Sequence, residues 1–417
     1  MNFRACTLLP AALAIAACGG PAKSPTPETA MPGAPQWITD ETANLRKLTM
    51  AVRARPTPAL SSLFERLAER SDAPHASLYR ATAAGGFGSG FALVRKRGGT
   101  LDPMLITNRH VIAFTDETEI EDDAGRSKGS ARVYYEDYIY DLAILKFNGS
   151  TEPFQAGMGF ESMPAKDRQE VVATGFPGIG SRPSFQTTKG YVSNERFTLA
   201  EGAEGENRPH IQHTAPIDPG SSGGPLTTEQ GRLLGVNTFK VFGREGVAFA
   251  IPAAAITEAV ERADKAYACF DDLACRKKAL VAACRATFLR LATDSDDIAP
   301  AISPRLLAKR GLESLVWAET ALHADFAELE EDDPLSAIRL AVTERLVAEF
   351  RGEDPSAYCS APTPSDWDNL ATVDRVRFAL PKGQEAAFSW EHGHFKLSDM
   401  EFVKTKPKAA AHKKKRR

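Results

Sequence analysis

Between residues 85 and 252 apolar and polar positions alternate in short runs broken by Gly, Pro and Asp clusters, the pattern of half-buried strands in an all-β domain. On either side the period changes. Residues 59–70 place Leu60, Leu63, Phe64 and Leu67 at helical spacing, which predicts a buried stripe. Residues 39–53 read as a preceding helix, separated from it by Pro56-Thr57-Pro58; the pair is expected to pack on the β domain. Residues 253–352 are rich in Ala, Leu, Arg and Glu with a helical period, including helices over 303–330 and 334–350. From residue 371 alternation returns in Val376, Phe378 and Leu380, in Ala386, Phe388 and Trp390, and in Phe395 and Leu397. A small antiparallel sheet packed on helices follows, with His392-Gly393-His394 as an exposed turn. No further ligands stand near those two histidines to make a metal site.

Composition places the chain among ordinary soluble proteins: 417 residues, 43% hydrophobic and 25% charged, enough for two or three domains. A net charge of −3 gives no general reason to expect nucleic acid. The charge is uneven, because residues 404–417 hold eight basic side chains and no acid. Such a run is a solvated tail by default, or a contact for anionic lipid or wall polymer. At the other end, Arg4 precedes a short Ala-rich apolar run ending at Ile15-Ala16-Ala17-Cys18, too short to span a bilayer and readable as an export signal. Residues 19–36 carry five prolines, the composition of an extended tether.

Besides Cys18, four cysteines remain after signal removal: Cys269, Cys275, Cys284 and Cys359. An even number in an exported chain favours two disulfides, for which three pairings are possible. The preferred pairing joins Cys269 to Cys275 across Phe270-Asp271-Asp272, and Cys284 to Cys359. A zinc site is the rival, but the spacings contain no C-x-x-C pair.

The chemistry centres on residues 217–226, I-D-P-G-S-S-G-G-P-L. A serine hydroxyl attacks carbonyls poorly without a neighbouring base and backbone N–H groups aimed at the developing oxyanion. Pro219 and Gly220 can set a tight turn in which the N–H groups of Gly220 and Ser222 converge. A base is offered by His110, at the end of the apolar run M-L-I-T-N-R-H-V-I over 104–112. An acid is offered by Asp141 in V-Y-Y-E-D-Y-I-Y-D-L-A-I-L-K over 133–146, with Asp137 as a competitor. The order His, Asp, Ser, with gaps of roughly thirty and then roughly eighty residues, is that of the chymotrypsin-type triad and not of the subtilisin or α/β-hydrolase orders.

Together, G-F-G-S-G-F at 86–91, T-N-R-H-V at 107–111, D-L-A-I-L-K at 141–146, G-S-S-G-G-P-L at 220–226, G-V-N-T at 235–238 and G-V-A-F-A-I-P at 246–252 resemble the HtrA/Deg branch of trypsin-like serine proteases. The resemblance covers residues 80–255. It implies two β-barrels, at 80–155 and 165–252, with Ser222 as nucleophile, His110 as general base and acid, and Asp141 orienting the imidazole. The residue six before the nucleophile floors the primary pocket of such proteases. Pro216 stands there, which implies no preference for Lys or Arg and a taste for small or aliphatic side chains. Thr238, Phe239 and Lys240 would line the wall against which an extended substrate pairs. Residues 171–194 match a loop that can switch between ordered and disordered forms in this branch, or form a plain hairpin connection.

The expected fold is therefore an all-β double β-barrel of chymotrypsin/trypsin-like type followed by a helix-rich α+β domain. No PDZ pattern follows the barrels, a departure from the branch. The expected division is 1–17 signal, 18–36 tether, 37–75 N-terminal helices, 76–255 protease domain, 256–403 helix-rich domain with its small sheet, and 404–417 tail. Ile15-Ala16-Ala17-Cys18 also resembles a bacterial lipobox, with Cys18 the lipidated residue and Gly19 implying outer-membrane sorting in a Gram-negative cell. Cleavage at a small-residue site, releasing a secreted soluble protein, is the alternative. Protein or peptide substrates and no cofactor are expected, with a possible homo-oligomer. The rivals from other classes are an inactive protease-fold scaffold and a chaperone-like peptide binder.

Overall fold

The computed structural model describes residues 35–39, 44–71, 73–148, 154–179, 182–198, 208–241, 244–293, 298, 301–317, 342–344, 346–354, 358–359 and 375–401. The expected signal, Cys18, nearly all of the tether and the basic tail lie outside the described residues, as does much of the expected helical stretch between 318 and 341.

The chain opens with β1 (Gln36–Trp37), α1 (Leu45–Leu48), β2 (Thr49–Ala54), α2 (Pro58–Arg70) and α3 (Ala73–Ala84). The first barrel then adds β3 (Gly86–Arg97), β4 (Thr100–Asn108), β5 (Glu117–Glu121), β6 (Ser127–Asp137) and β7 (Leu142–Phe147). Pairing runs β3-β2-β5-β6-β7-β4 and closes by a β3–β4 ladder, with β1 added on β3. β8 (Glu170–Gly175), β9 (Gly178–Ile179), β10 (Arg182–Pro183), β11 (Gln186–Thr198), β12 (Pro209–His213), β13 (Pro225–Thr227), β14 (Leu233–Lys240) and β15 (Ala248–Pro252) follow. Six of these close the second barrel in the order β11-β12-β15-β14-β13-β8, while β9 and β10 pair only with each other. The result is the chymotrypsin-like arrangement of two closed six-stranded barrels.

One predicted element is wrong. Among the described residues of 39–53 only α1 is helical, and β2 is a strand of the first barrel. Thr49–Ala54 pairs with β3 on one side and β5 on the other, burying Met50 and Val52 in the barrel core. The ladder and core gained from strands far along the chain outweigh the local helical preference. The first barrel therefore starts with residues expected among N-terminal helices.

After the barrels come α4 (Ala253–Asp271), α5 (Leu273–Thr293), α6 (Pro304–Trp317), β16 (Arg375–Ala379), β17 (Glu385–Glu391) and β18 (His394–Glu401). The predicted α+β character holds, with β16-β17-β18 as an antiparallel sheet. α4 lays Ala255, Ile256, Ala259, Val260 and Ala263 onto the first barrel's core. The α2 stripe is buried as its spacing predicts, but it does not join a barrel core. Leu60, Leu63, Phe64 and Leu67 share a third core with Leu280, Phe288 and Leu307 and with Phe378 and Phe388 of the small sheet. Among the described residues the disulfides are Cys269–Cys275 and Cys284–Cys359. Among the described residues no helix is long and apolar enough to cross a membrane.

Candidate active site

His110 starts a 3₁₀ turn, His110–Ile112, directly after β4, and Asp141 immediately precedes β7. Because β4 and β7 are neighbours paired from Asn108 to Leu142, their ends bring the two residues together. His110 Nδ1 lies 2.7 Å from Asp141 Oδ2, and the His110 backbone N–H donates to Asp141 Oδ1 at 3.0 Å. The Asp141 carbonyl accepts from the Arg109 N–H at 3.0 Å and from Asn108 Nδ2 at 3.1 Å. These contacts hold Asp141 at φ 55°, in the left-handed region that aspartate tolerates better than most residues. The competing Asp137 is engaged elsewhere, since its Oδ1 accepts from the N–H groups of Ile139 and Tyr140 and its Oδ2 meets Arg262 Nε at 2.7 Å.

The surroundings of Asp141 favour its ionised form. Burial works to raise its carboxyl, but His110 and the guanidinium of Arg109 outweigh that and hold it below the ordinary value. Its side chain is 24% exposed and that of His110 is 46% exposed, so the pair opens onto the surface with the carboxylate on the inner side.

Ser222 belongs to the turn between β12 and β13. A register shift in the β14–β15 ladder between Asn237 and Phe239 leaves Thr238 outside the regular pairing. Thr238 links the barrels at this point: its carbonyl accepts from Ser222 Oγ at 2.6 Å, and its Oγ1 lies 3.4 Å from Asp141 Oδ2. The structure thus gathers Ser222, Thr238, Asp141 and His110 at the interface of the two barrels.

The turn also fixes its own peptide planes. The Pro219 carbonyl accepts from the Gly178 N–H at 3.1 Å, and the Ser221 carbonyl accepts from the Gly224 N–H at 3.0 Å. In a trans peptide the N–H points opposite to the carbonyl, so the N–H groups of Gly220 and Ser222 are turned away from these partners. Gly220 has φ +99°, and a Cβ there would sit 2.5 Å from the Phe176 carbonyl oxygen. Gly223, at φ +85°, packs so closely on the Ser89 carbonyl and Thr107 that a Cβ would overlap both. Both positions require glycine, for backbone angle and for space.

Sequence reasoning gave Ser89 no role, yet it ties the first barrel to this turn. Its Oγ donates to the Gly220 carbonyl at 2.6 Å and accepts from the Phe176 N–H at 2.8 Å, while its own N–H donates to the Ser222 carbonyl at 2.8 Å. The small-residue motif G-F-G-S-G-F was the available signal. Among the predicted substrate-wall residues, Phe239 stacks on Phe249 at 4.7 Å and meets His210 edge-on, and Lys240 Nζ reaches Asp218 at 2.6 Å. Pro216 is exposed, and its carbonyl accepts from Thr188 Oγ1 at 2.7 Å. Residues 171–194 form the β8–β11 hairpin with β9 and β10 near its tip, residues 180–181 lying outside the described set. Among the described residues no cluster of three His, Cys, Asp or Glu side chains is placed to hold a metal ion.

Two closed barrels meet at this cluster. Residues 88–236 match the trypsin-like peptidase domain family. A probable periplasmic serine endoprotease, DegP-like, of Pseudomonas fluorescens is 35% identical over 200 residues, covering 47% of this chain and 38% of that protein. A serine protease Do-like HtrA of Lactobacillus helveticus is 32% identical over 171 residues, covering 40% of each. The chain thus spans less than half the length of these curated relatives. Among solved structures, a serine endoprotease from Yersinia pestis aligns at TM-score 0.36 and 23% identity over 52% of this chain and 63% of that one.

Proposed function

We propose that this chain is a serine endopeptidase in which Ser222 is the nucleophile, His110 the general base and acid, and Asp141 the group that orients and stabilises the imidazole. The observation that carries the reading is the 2.7 Å contact of His110 Nδ1 with Asp141, joined to Ser222 through Thr238. Asp141 fixes the tautomer with the proton on Nδ1, leaving Nε2 as the base. Ser222 Oγ turns from the Thr238 carbonyl towards Nε2 and bonds to the substrate carbonyl carbon while its proton passes to His110. The oxyanion is held by the Gly220 and Ser222 N–H groups. As the C–N bond breaks, His110 returns the proton to the departing amine. Water, deprotonated by the same imidazole, then clears the acyl-enzyme.

The primary pocket is proposed to take small or aliphatic side chains. Pro216 offers no carboxylate for a basic residue, and neighbouring Asp218 is engaged by Lys240. Thr238, Phe239 and Lys240 are proposed as the substrate wall. Export is part of the same proposal, supported by the apolar N-terminal segment and by a relative named as a probable periplasmic serine endoprotease. Attachment through Cys18 and the basic tail to an envelope membrane belongs to the same proposal.

Hydrolysis of a peptide library by the full chain and its Ser222→Ala variant tests this. The expected result is a loss of about 10⁶ in rate, about 8 kcal/mol of barrier, with cleavage sites not enriched in Lys or Arg. A Ser222→Ala chain of undiminished activity would contradict it.

A further inference from the structure

The His392-Gly393-His394 turn is not exposed. It docks on the first barrel beside the segment that leads to Asp141, and its partners are buried and charged. Lys396 is 3% and Glu136 is 4% exposed, and the Lys396 ammonium pairs with the Glu136 carboxylate. The Glu136 backbone is held as well: its N–H donates to the His392 carbonyl at 3.2 Å, and its carbonyl lies 2.7 Å from His394 Nε2. The hydroxyl of Tyr138 donates to Glu136 Oε2 at 2.6 Å, and the His394 ring packs on Tyr135 and Tyr138 at 5.1 and 5.4 Å. Gly393 lies so close to the Tyr135 ring that a Cβ would overlap it.

This cluster reaches the active site in one further step. The Arg109 guanidinium lies over the Tyr138 ring at 4.8 Å, and Arg109 Nε is 3.8 Å from Asp141 Oδ1. The five peptide links from Glu136 to Asp141 are thus fixed at three places: Glu136 by the small sheet, Asp137 by Arg262 of α4, and Asp141 by Asn108 and the His110 backbone. A non-glycine residue at positive φ persists only where its surroundings over-determine it, and Asp141 is such a residue.

We propose that the C-terminal sheet is a positioning element of the active site, in which Lys396 and His394 hold Glu136 and Tyr138 and thereby the turn that presents Asp141 to His110. Lys396 and His394 are positioning residues, since neither touches substrate. The pairing is self-consistent in charge. Burial works to raise the Glu136 carboxyl, but Lys396 and His392 hold it well below its usual range, so both members of the pair stay ionised. The proposal takes its catalytic meaning from the protease reading above, but the geometry it asserts can be measured without turnover.

The test compares the full chain with Lys396→Met, which keeps the apolar stem and removes the ammonium, and with Phe350→Leu. The latter thins the same C-terminal core where Phe350 packs on Phe288 and Tyr358, and serves as the stability control. The readouts are the low-field ¹H NMR resonance of the His110 Nδ1 proton and the pH profile of kcat/KM. In folded Lys396→Met the resonance is expected to move upfield or exchange-broaden. The acidic limb of the profile moves to lower pH as the carboxylate loses its hold on the imidazole, and kcat drops about 10²-fold at unchanged KM, the scale of a misplacement of about 1 Å. Phe350→Leu is expected to lower Tm and leave resonance and limb in place. Should Lys396→Met not fold, His394→Leu carries the same readouts in the same direction, since it removes the bond to the Glu136 carbonyl without stranding a charge. An unaltered resonance and limb in the folded variant would overturn the proposal, as would absence of that resonance in the unsubstituted chain. A chain that shows the resonance and its loss but cleaves nothing would refute the protease reading and leave the positioning role standing.

Discussion

The first barrel brings side chains to the site, whereas the second brings a hydroxyl surrounded by backbone groups, and the two are secured differently. His110 and Asp141 stand at the ends of neighbouring strands, held to each other and to Asn108, and the proposed bracing through Arg109 and Tyr138 comes from the C-terminal sheet outside the barrel. The Ser222 turn depends on glycines at positive φ and on Ser89 clasping its carbonyls. A side-chain constellation needs tertiary bracing, because a rotamer or a strained φ can relax. A turn encoded in glycine carries its backbone angles in its own short sequence and takes hydrogen bonds to its carbonyls from outside.

Three perturbations break or sharpen this contrast. Asp141→Asn should have the largest effect, a loss of about 10⁴ in kcat with the fold intact, since it favours the wrong imidazole tautomer. Steady-state kinetics at neutral pH would check it, and a loss under tenfold would remove Asp141 from the site. Gly220→Ala should cost about 10²–10³ in kcat, because a side chain at φ +99° cannot clear Phe176 and must swing the oxyanion donors. The His110 Nδ1 resonance should be unchanged in that variant, as the damage is confined to the second barrel's turn.

The smallest effect is one of pH. His213, fully buried in the second barrel, is pushed by burial down to about 4, which the nearby Ala215 backbone only partly offsets; neither ring nitrogen is in hydrogen-bonding geometry. The unfolded chain binds this proton at higher pH than the native one, so stability falls as pH drops from about 6.5 to about 4, by about 3 kcal/mol. His392, between the first barrel and the small sheet, has the opposite sign. Burial lowers its affinity for a proton, but Asp116 and Glu136 raise it above 6.5. Its stabilisation is fully present below 6.5 and is lost as pH rises through the raised value. Hydrogen exchange compared at pH 5 and pH 7.5, corrected for intrinsic rates, should show β12 and β15 losing protection on acidification while the end of β6 gains it. Uniform loss would contradict this division.

Legibility in the sequence follows the same line. The Ser222 turn could be read directly, because glycine's conformational freedom is local and the motif is contiguous. His110 and Asp141 were readable as ends of apolar runs, and the D-L-A-I-L-K resemblance already favoured Asp141 over Asp137, which the structure shows capping its own turn. What could not be read depends on partners far along the chain. Thr49–Ala54 is a strand because β3 and β5 lie on both sides of it. The α2 stripe is visible as a period, but a period does not name the core it joins. The His392–His394 turn read as exposed because turns usually are; its partner Glu136 is 258 residues from His394. α3, with Ala76 and Tyr79 alone deeply buried among its described side chains, offered too weak a stripe to be noticed.

The most direct measurement is reaction of the full chain with a fluorophosphonate probe, followed by mapping of the labelled peptide. An activated hydroxyl at the junction of the barrels predicts covalent label on Ser222 that disappears in His110→Ala. No label, or label on Ser222 that persists undiminished without the imidazole, would contradict the shared proton path on which the account depends.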